Sequence, residues 1–216
     1  MYYVIPLVVS TRIARTHTQV HVRAHTLSKE KIVPLTQNFG AVGDGKTLNT
    51  KAFNSAITKL SQYANDGGAT LIVPPGKWLT GSFNLTSHFT FFLQKDAVIL
   101  ASQNEADWPQ LPVLPSYGRG RDAPAGRYSS LIFGTHLTDV IITGNNLTID
   151  GQGSVWWEKF KKGEMKLTRP YMIELMYSDQ IQISNLNLIN SPYWFVHPNL
   201  KSQFDQFPLI QQLCNY

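Results

Sequence analysis

Acidic side chains are scarce in this chain. Its 216 residues include 14 Asp and Glu against 19 Lys and Arg, and no two of the acids are adjacent. Chemistry that needs paired carboxylates must therefore gather groups that lie far apart in sequence. Cysteine is scarcer still: Cys214 stands alone, which excludes a disulfide within the chain. No apolar run approaches the roughly 20 residues that a membrane-spanning helix requires. Hairpin dipeptides between strand-like runs are rare, which weighs against a β-sandwich of short antiparallel strands, the alternative architecture. Charged residues amount to 15% and hydrophobic ones to 43%, a globular rather than a disordered composition. The length suffices for one domain with a real core.

The net charge of +5 suggests a polyanionic partner, but its distribution weakens that idea. Before Asn38, Arg12, Arg15, Arg23, Lys29 and Lys31 face Glu30 alone, and the remainder is nearly neutral. No nucleic acid and no membrane is expected as a partner.

What the chain does have is short alternating strands punctuated by turn residues. Around residues 141–157, Val140 and Ile142, then Leu147 and Ile149, alternate with polar neighbours. Between and after them stand Gly144, Asn145 and Asn146, then Asp150-Gly-Gln-Gly, which tolerate left-handed backbone angles. Strand, corner, strand, corner is one rung of a coil that cannot bury its apolar side alone. A second rung follows. Ile181 and Ile183 repeat Val140 and Ile142 at an offset of 41, and Leu186 and Leu188 repeat Leu147 and Ile149 at an offset of 39. Strand pairs that persist while corners drift predict an all-β solenoid of parallel β-helix type.

Residues 1–37 differ from the rest and are expected to be a leader or disordered segment. Residues 2–9 make a poor secretion signal, and the Arg-, Ser- and Thr-rich stretch after them resembles a transit segment as well. His17, His21 and His25 share a helical spacing that would suit a metal, but no carboxylate or cysteine joins them. From Asn38, a glycine-punctuated strand and turn leads into a helix over 50–64, where Ala52, Phe53, Ala56, Ile57, Leu60 and Tyr63 share a face and Asn49 or Thr50 caps it. That helix would cover the open first rung. Strands are expected at 71–73, 78–85, 89–93 and 97–100. Residues 101–128 break the pattern as a long ordered loop. There Arg119, Arg121 and Arg127, with Tyr117 and Trp108, either line a groove for an acidic sugar polymer or are merely solvated.

Asn38-Phe-Gly-Ala-Val-Gly-Asp-Gly, Thr50-Lys-Ala-Phe-Asn-Ser-Ala-Ile and Val73-Pro-Pro-Gly resemble the opening of the polygalacturonase-like glycoside hydrolases of family 28. Thr148-Ile-Asp-Gly-Gln-Gly-Ser-Val-Trp-Trp, Arg169-Pro and Asn190-Ser-Pro-Tyr-Trp-Phe-Val-His-Pro resemble the plant members of that family. The resemblance covers 38–198. It implies a right-handed single-stranded parallel β-helix with an amino-terminal capping helix, and a pectic polysaccharide of the cell wall as partner. It implies no cofactor. Such an enzyme, as a secreted monomer, would hydrolyse galacturonan with paired aspartates.

The family's Asn-Thr-Asp, Asp-Asp, Gly-His-Gly and Arg-Ile-Lys segments have no counterpart here, so no catalytic residue is assigned. Asp44, Asp66, Asp96 and Asp150 sit in turn contexts. Asp139 and Asp179 occupy matching corners, and Glu174 is placed facing outward. Glu105 and Asp107 flank the Trp108 loop as possible sugar contacts, and His197 is taken as a corner histidine. The substrate-binding candidates are thus Trp108, Arg119, Arg121 and Arg127, and the sequons at Asn84 and Asn146 are glycosylation candidates. Residues 199–216 form an atypical tail without the strand pattern, so the helix is expected to be truncated and inactive. A non-catalytic wall-polysaccharide binder is the alternative. A calcium-dependent lyase would need a carboxylate cluster that these scattered acids do not offer.

Overall fold

The computed structural model describes residues 30–37, 39–113, 123, 125–145 and 147–200. The chain winds into a right-handed parallel β-helix with three sides. Side A stacks β1 (Lys31–Pro34), β2 (Ala69–Val73), β5 (Phe89–Leu93), β10 (Thr138–Gly144) and the second half of β12 (Ile173–Ile183). Side B stacks β3 (Gly76–Thr80), β6 (Ala97–Ala101), β11 (Leu147–Asp150) and β13 (Leu186–Ile189). Side C stacks β4 (Phe83–Asn84), β9 (Ile132–Thr135), the first half of β12 and β14 (Val196–Leu200). A short antiparallel pair, β7 (Gln110–Leu111) with β8 (Arg127–Tyr128), lies beside them.

The two offsets visible in the sequence are the register of the coil. Val140 pairs with Ile181 and Ile142 with Ile183 on side A, while Leu147 pairs with Leu186 and Ile149 with Leu188 on side B. Every second residue of a strand points the same way, so Leu71, Phe91 and Ile142 form one inward column that is fully buried. Sheet formation begins before Asn38: β1 pairs with β2 and ends at Pro34, a residue suited to an edge strand.

Left-handed residues stack at the corner leading into side A. Gly68, His88, Asp139 and Gln180 have φ of 83°, 54°, 57° and 53°, and each immediately precedes a strand residue in register with the others. Outside glycine such angles carry a cost of order 1 kcal/mol each, here offset by the ladder that the corner continues. The glycines of Asp150-Gly151-Gln152-Gly153 serve a different need. Gln152, not either glycine, is left-handed (φ 44°). A Cβ on Gly153 would stand 2.5 Å from the Ser191 carbonyl oxygen, and one on Gly151 2.7 Å from that of Asn190. Close approach of two rungs, rather than backbone angle, selects glycine there.

Helix α1 (Thr50–Leu60) continues into a 3₁₀ turn at Ser61–Tyr63 and buries Ala52, Phe53, Ala56, Ile57 and Leu60 against β2 and β4. Phe53 stacks on Phe83 at 4.7 Å. Asn49 occupies the cap position without capping. Its amide accepts from the Val42 N–H and donates to the Val42 and Thr47 carbonyls, fastening the glycine turn instead. A second helix, α2 (Ser154–Lys161), stands where the sequence suggests the end of a rung. Trp156 is its anchor, edge-on to Trp108 at 5.7 Å and to Tyr128 at 5.0 Å.

Candidate functional site

Besides the α1 segment between β1 and β2, two long stretches leave the coil among the described residues: one joins β6 to β9, the other β11 to β12. Described parts of both meet beside side C, where Arg127 bridges to Thr168 and reaches Glu174. On β12, Ile173 and Leu175 belong to the core, so strand alternation sends Glu174 and Met176 to that outer face. Glu174 is nonetheless fully buried, because the segment carrying β8 lies over it. Register places His197 of β14 directly beside Glu174.

Both oxygens of the Glu174 carboxylate are engaged, while the buried Nε of Arg127 has no hydrogen-bond partner. Arg127 donates from a guanidinium nitrogen to Glu174 Oε2 at 2.6 Å, and the Ser130 hydroxyl donates to the same oxygen at 2.8 Å. His197 Nδ1 lies 3.1 Å from Oε1. Burial by itself would raise the Glu174 pKa, but the hydrogen bond with His197, the charge of Arg127 and the bonds from Arg127 and Ser130 together hold it below the ordinary glutamate value. The group is therefore a carboxylate at neutral pH. It accepts hydrogen bonds and has no proton to give.

An aromatic row runs outward from this ion pair. The Tyr171 ring lies parallel to His197 at 4.5 Å and stacks with Tyr193 at 5.4 Å. Arg169 follows, its guanidinium over Tyr193, Phe160 and Trp157 at 4.8, 4.3 and 3.6 Å, with one N–H donated to the Pro192 carbonyl. Cation–π contact of this kind is worth about 2 kcal/mol when desolvated. It fastens α2 to the corner before β14.

Several other described carboxylates are engaged elsewhere. Glu105 binds Lys159 and accepts from the Tyr128 hydroxyl, and the Lys159 hydrogen bond leads in holding its pKa down. Tyr128 is correspondingly pushed up, by burial first and then by Glu105. Asp107 accepts from Ser102, Asp139 meets His88 at 2.9 Å, and Thr138 donates to Asp179. Asp44 accepts from the N–H groups of Thr47 and Lys46, which lower it to about 2. Glu105 and Asp107 are thus bound into the excursion. Among the described residues, no group of three or more His, Cys, Asp or Glu side chains stands together as a metal site would require.

The sequence candidates fare unevenly. Trp108 and Arg127 are not groove residues but interior ones, 3% and 1% exposed. Trp108 donates its indole N–H to the Ser102 carbonyl, and Arg127 is committed to Glu174. An indole and a cation so placed pack the excursions against the helix. Arg119, Arg121 and Asn146 lie outside the described residues, as do His17, His21 and His25; Asn84 is exposed on β4. His197 is a strand residue with a carboxylate partner rather than a corner histidine. Sequence reading missed that partner because 23 residues separate the two. Only the pairing of β12 with β14 would have revealed it.

Comparison with known proteins agrees with this architecture. The model of Glycosyl hydrolases family 28 matches residues 66–204. A "Probable polygalacturonase" from Vitis vinifera is 63% identical over 86% of this chain and 36% of its own length. An exo-poly-alpha-D-galacturonosidase from Dickeya chrysanthemi is 32% identical over 74% of this chain and 25% of its own. The chain thus spans about a third or less of these relatives. Among solved structures, the family 28 exopolygalacturonase of Yersinia enterocolitica superposes with a TM-score of 0.64 at 22% identity, over 80% of this chain and 38% of that one. The polygalacturonase of Erwinia carotovora gives 0.55 at 24%, over 70% and 42%. With its own motifs, its coil and the family match in agreement, the chain belongs to glycosyl hydrolase family 28.

Proposed function

We propose that this chain is a segment of a pectin-directed glycoside hydrolase that cleaves galacturonan in its complete form, and that the residues described here supply scaffold and substrate-facing surface rather than hydrolysis. An inverting glycosidase needs one carboxyl that keeps its proton and a second that activates water, roughly 6.5–9.5 Å away. The observation that carries the reading is Glu174. It is the carboxylate on the outer face of side C, and Arg127, Ser130 and His197 hold it ionised. A proton donor must be the reverse, and full burial keeps the same carboxylate from reaching the water that a base would activate. The exposed sequon at Asn84 supports a secreted, cell-wall setting, and none of the described helices is long and apolar enough to cross a membrane.

The test is a reducing-end assay on polygalacturonate with the purified chain. Release at the level of the blank is expected. Release above the blank, lost on Glu174→Gln, would refute the assignment of a non-catalytic role. The alternative of a dedicated binding protein drew on Trp108, Arg119, Arg121 and Arg127; Trp108 and Arg127 are buried, which weakens it, and Arg119 and Arg121 lie outside the described residues.

A further inference from the structure

Where β11 leaves side B, the surface dips into a cavity of about 370 Å³, lined by Gln103, Asp150, Gln152, Ser154, Trp157 and Asn190 among others. That volume falls within the range of roughly 300–1,000 Å³ found for small-ligand sites. Its polar groups are held in place. Gln152 Nε2 donates to the Ala101 carbonyl at 2.6 Å, Asn190 Nδ2 donates to Asp150 Oδ1 at 3.0 Å, and the Trp157 indole N–H donates to the Ser191 carbonyl at 2.9 Å. Beneath them the floor is glycine backbone against the neighbouring rung, with no room for a side chain at Gly153.

The chemistry of the lining is specific. It offers amides, hydroxyls and one indole, which suit the hydroxyl groups and apolar face of a sugar ring. The lining itself contains no Lys or Arg, and its single charge is the carboxylate of Asp150. The nearby Arg169 guanidinium, over the Trp157 ring at 3.6 Å, is stacked among Trp157, Phe160 and Tyr193. The amino end of α2 opens onto the same wall and would by itself favour an anion. Asp150 already supplies that negative charge. A uronate entering the cavity would meet it as a like charge.

We propose that this cavity is a binding site for an uncharged sugar residue and discriminates against uronates. The preference for a neutral ring rests on the lining alone; the choice of a galactose-based probe rests on the pectin reading above.

The experiment is calorimetric titration of the full chain with β-1,4-galactotetraose and, separately, with trigalacturonate. Saturable binding of the neutral probe is expected, at least tenfold tighter than that of the uronate. Ser154→Trp, from an exposed position at the mouth, should weaken galactotetraose binding at least tenfold with an unchanged melting temperature. Should that variant fail to fold, Gln103→Trp makes the same test from the opposite rim. Asp150→Asn should narrow the neutral-to-uronate ratio at least threefold. Absence of saturable galactotetraose binding, equal or tighter binding of trigalacturonate, or indifference to the blocking variants overturns the proposal. Polygalacturonate binding that survives alongside a silent neutral probe defeats the cavity assignment and leaves the pectin reading standing.

Discussion

Arg127 and Glu174 meet at 2.6 Å on the outer face of side C, 47 residues apart in sequence and both essentially without solvent contact. A charge pair so enclosed is costly to break from one side. Arg127→Met leaves a buried carboxylate with only Ser130 and His197, and the expected loss is about 3–5 kcal/mol. Arg127→Met combined with Glu174→Leu removes both charges and should recover most of that loss. Urea denaturation of the two variants beside the parent measures the difference.

Stability should also follow the ionisation of Glu174. Its folded pKa is depressed, so its contribution is fully present above the ordinary glutamate value of 4.5 and is lost as pH falls below it through the folded value. Arg127, Ser130 and His197 are the groups facing it. Denaturation midpoints measured from about pH 7 to about pH 3 should fall on the acid side, and Glu174→Gln should flatten that slope.

Backbone contact between rungs gives a third expectation. Gly153→Ala sets a methyl group 2.5 Å from the Ser191 carbonyl oxygen, and backbone on both sides leaves little room to yield. A loss of about 1–3 kcal/mol is expected, as for overpacked cores, visible as a lowered melting temperature. Gly163→Ala is a poor control because its φ is 70°. Ser154→Ala, on an exposed position of α2, should change little.

The hydrophobic seal of the first turn rests on Phe53, fully buried and stacked on Phe83. Phe53→Ala should cost about 3–5 kcal/mol. Hydrogen exchange in such a variant should accelerate first in β2 and β4, the strands that α1 covers.

Much of the coil was legible because a solenoid repeats its grammar. The offsets of 41 and 39 residues, read from Val140, Ile181, Leu147 and Leu186, are the strand register. What repetition does not encode stayed hidden. Helix α2 was obscured because Ser154 to Lys161 carries two tryptophans after a glycine corner, and only packing of Trp156 between Trp108 and Tyr128 decides for a helix. The first half of β12 was missed because both of its faces are covered, leaving no alternation to see. For the same reason Arg127 reads from sequence as one more cation in a loop rich in arginine, because its partner Glu174 lies on that covered strand.

A carboxyl ¹³C titration of Glu174 measures its ionisation directly, with Glu174→Gln to assign the signal. A midpoint below the ordinary value of 4.5, in a chain that releases no reducing ends from polygalacturonate, is the predicted result. A midpoint raised toward neutrality would contradict it, since the group would then hold the proton that glycosidic cleavage requires.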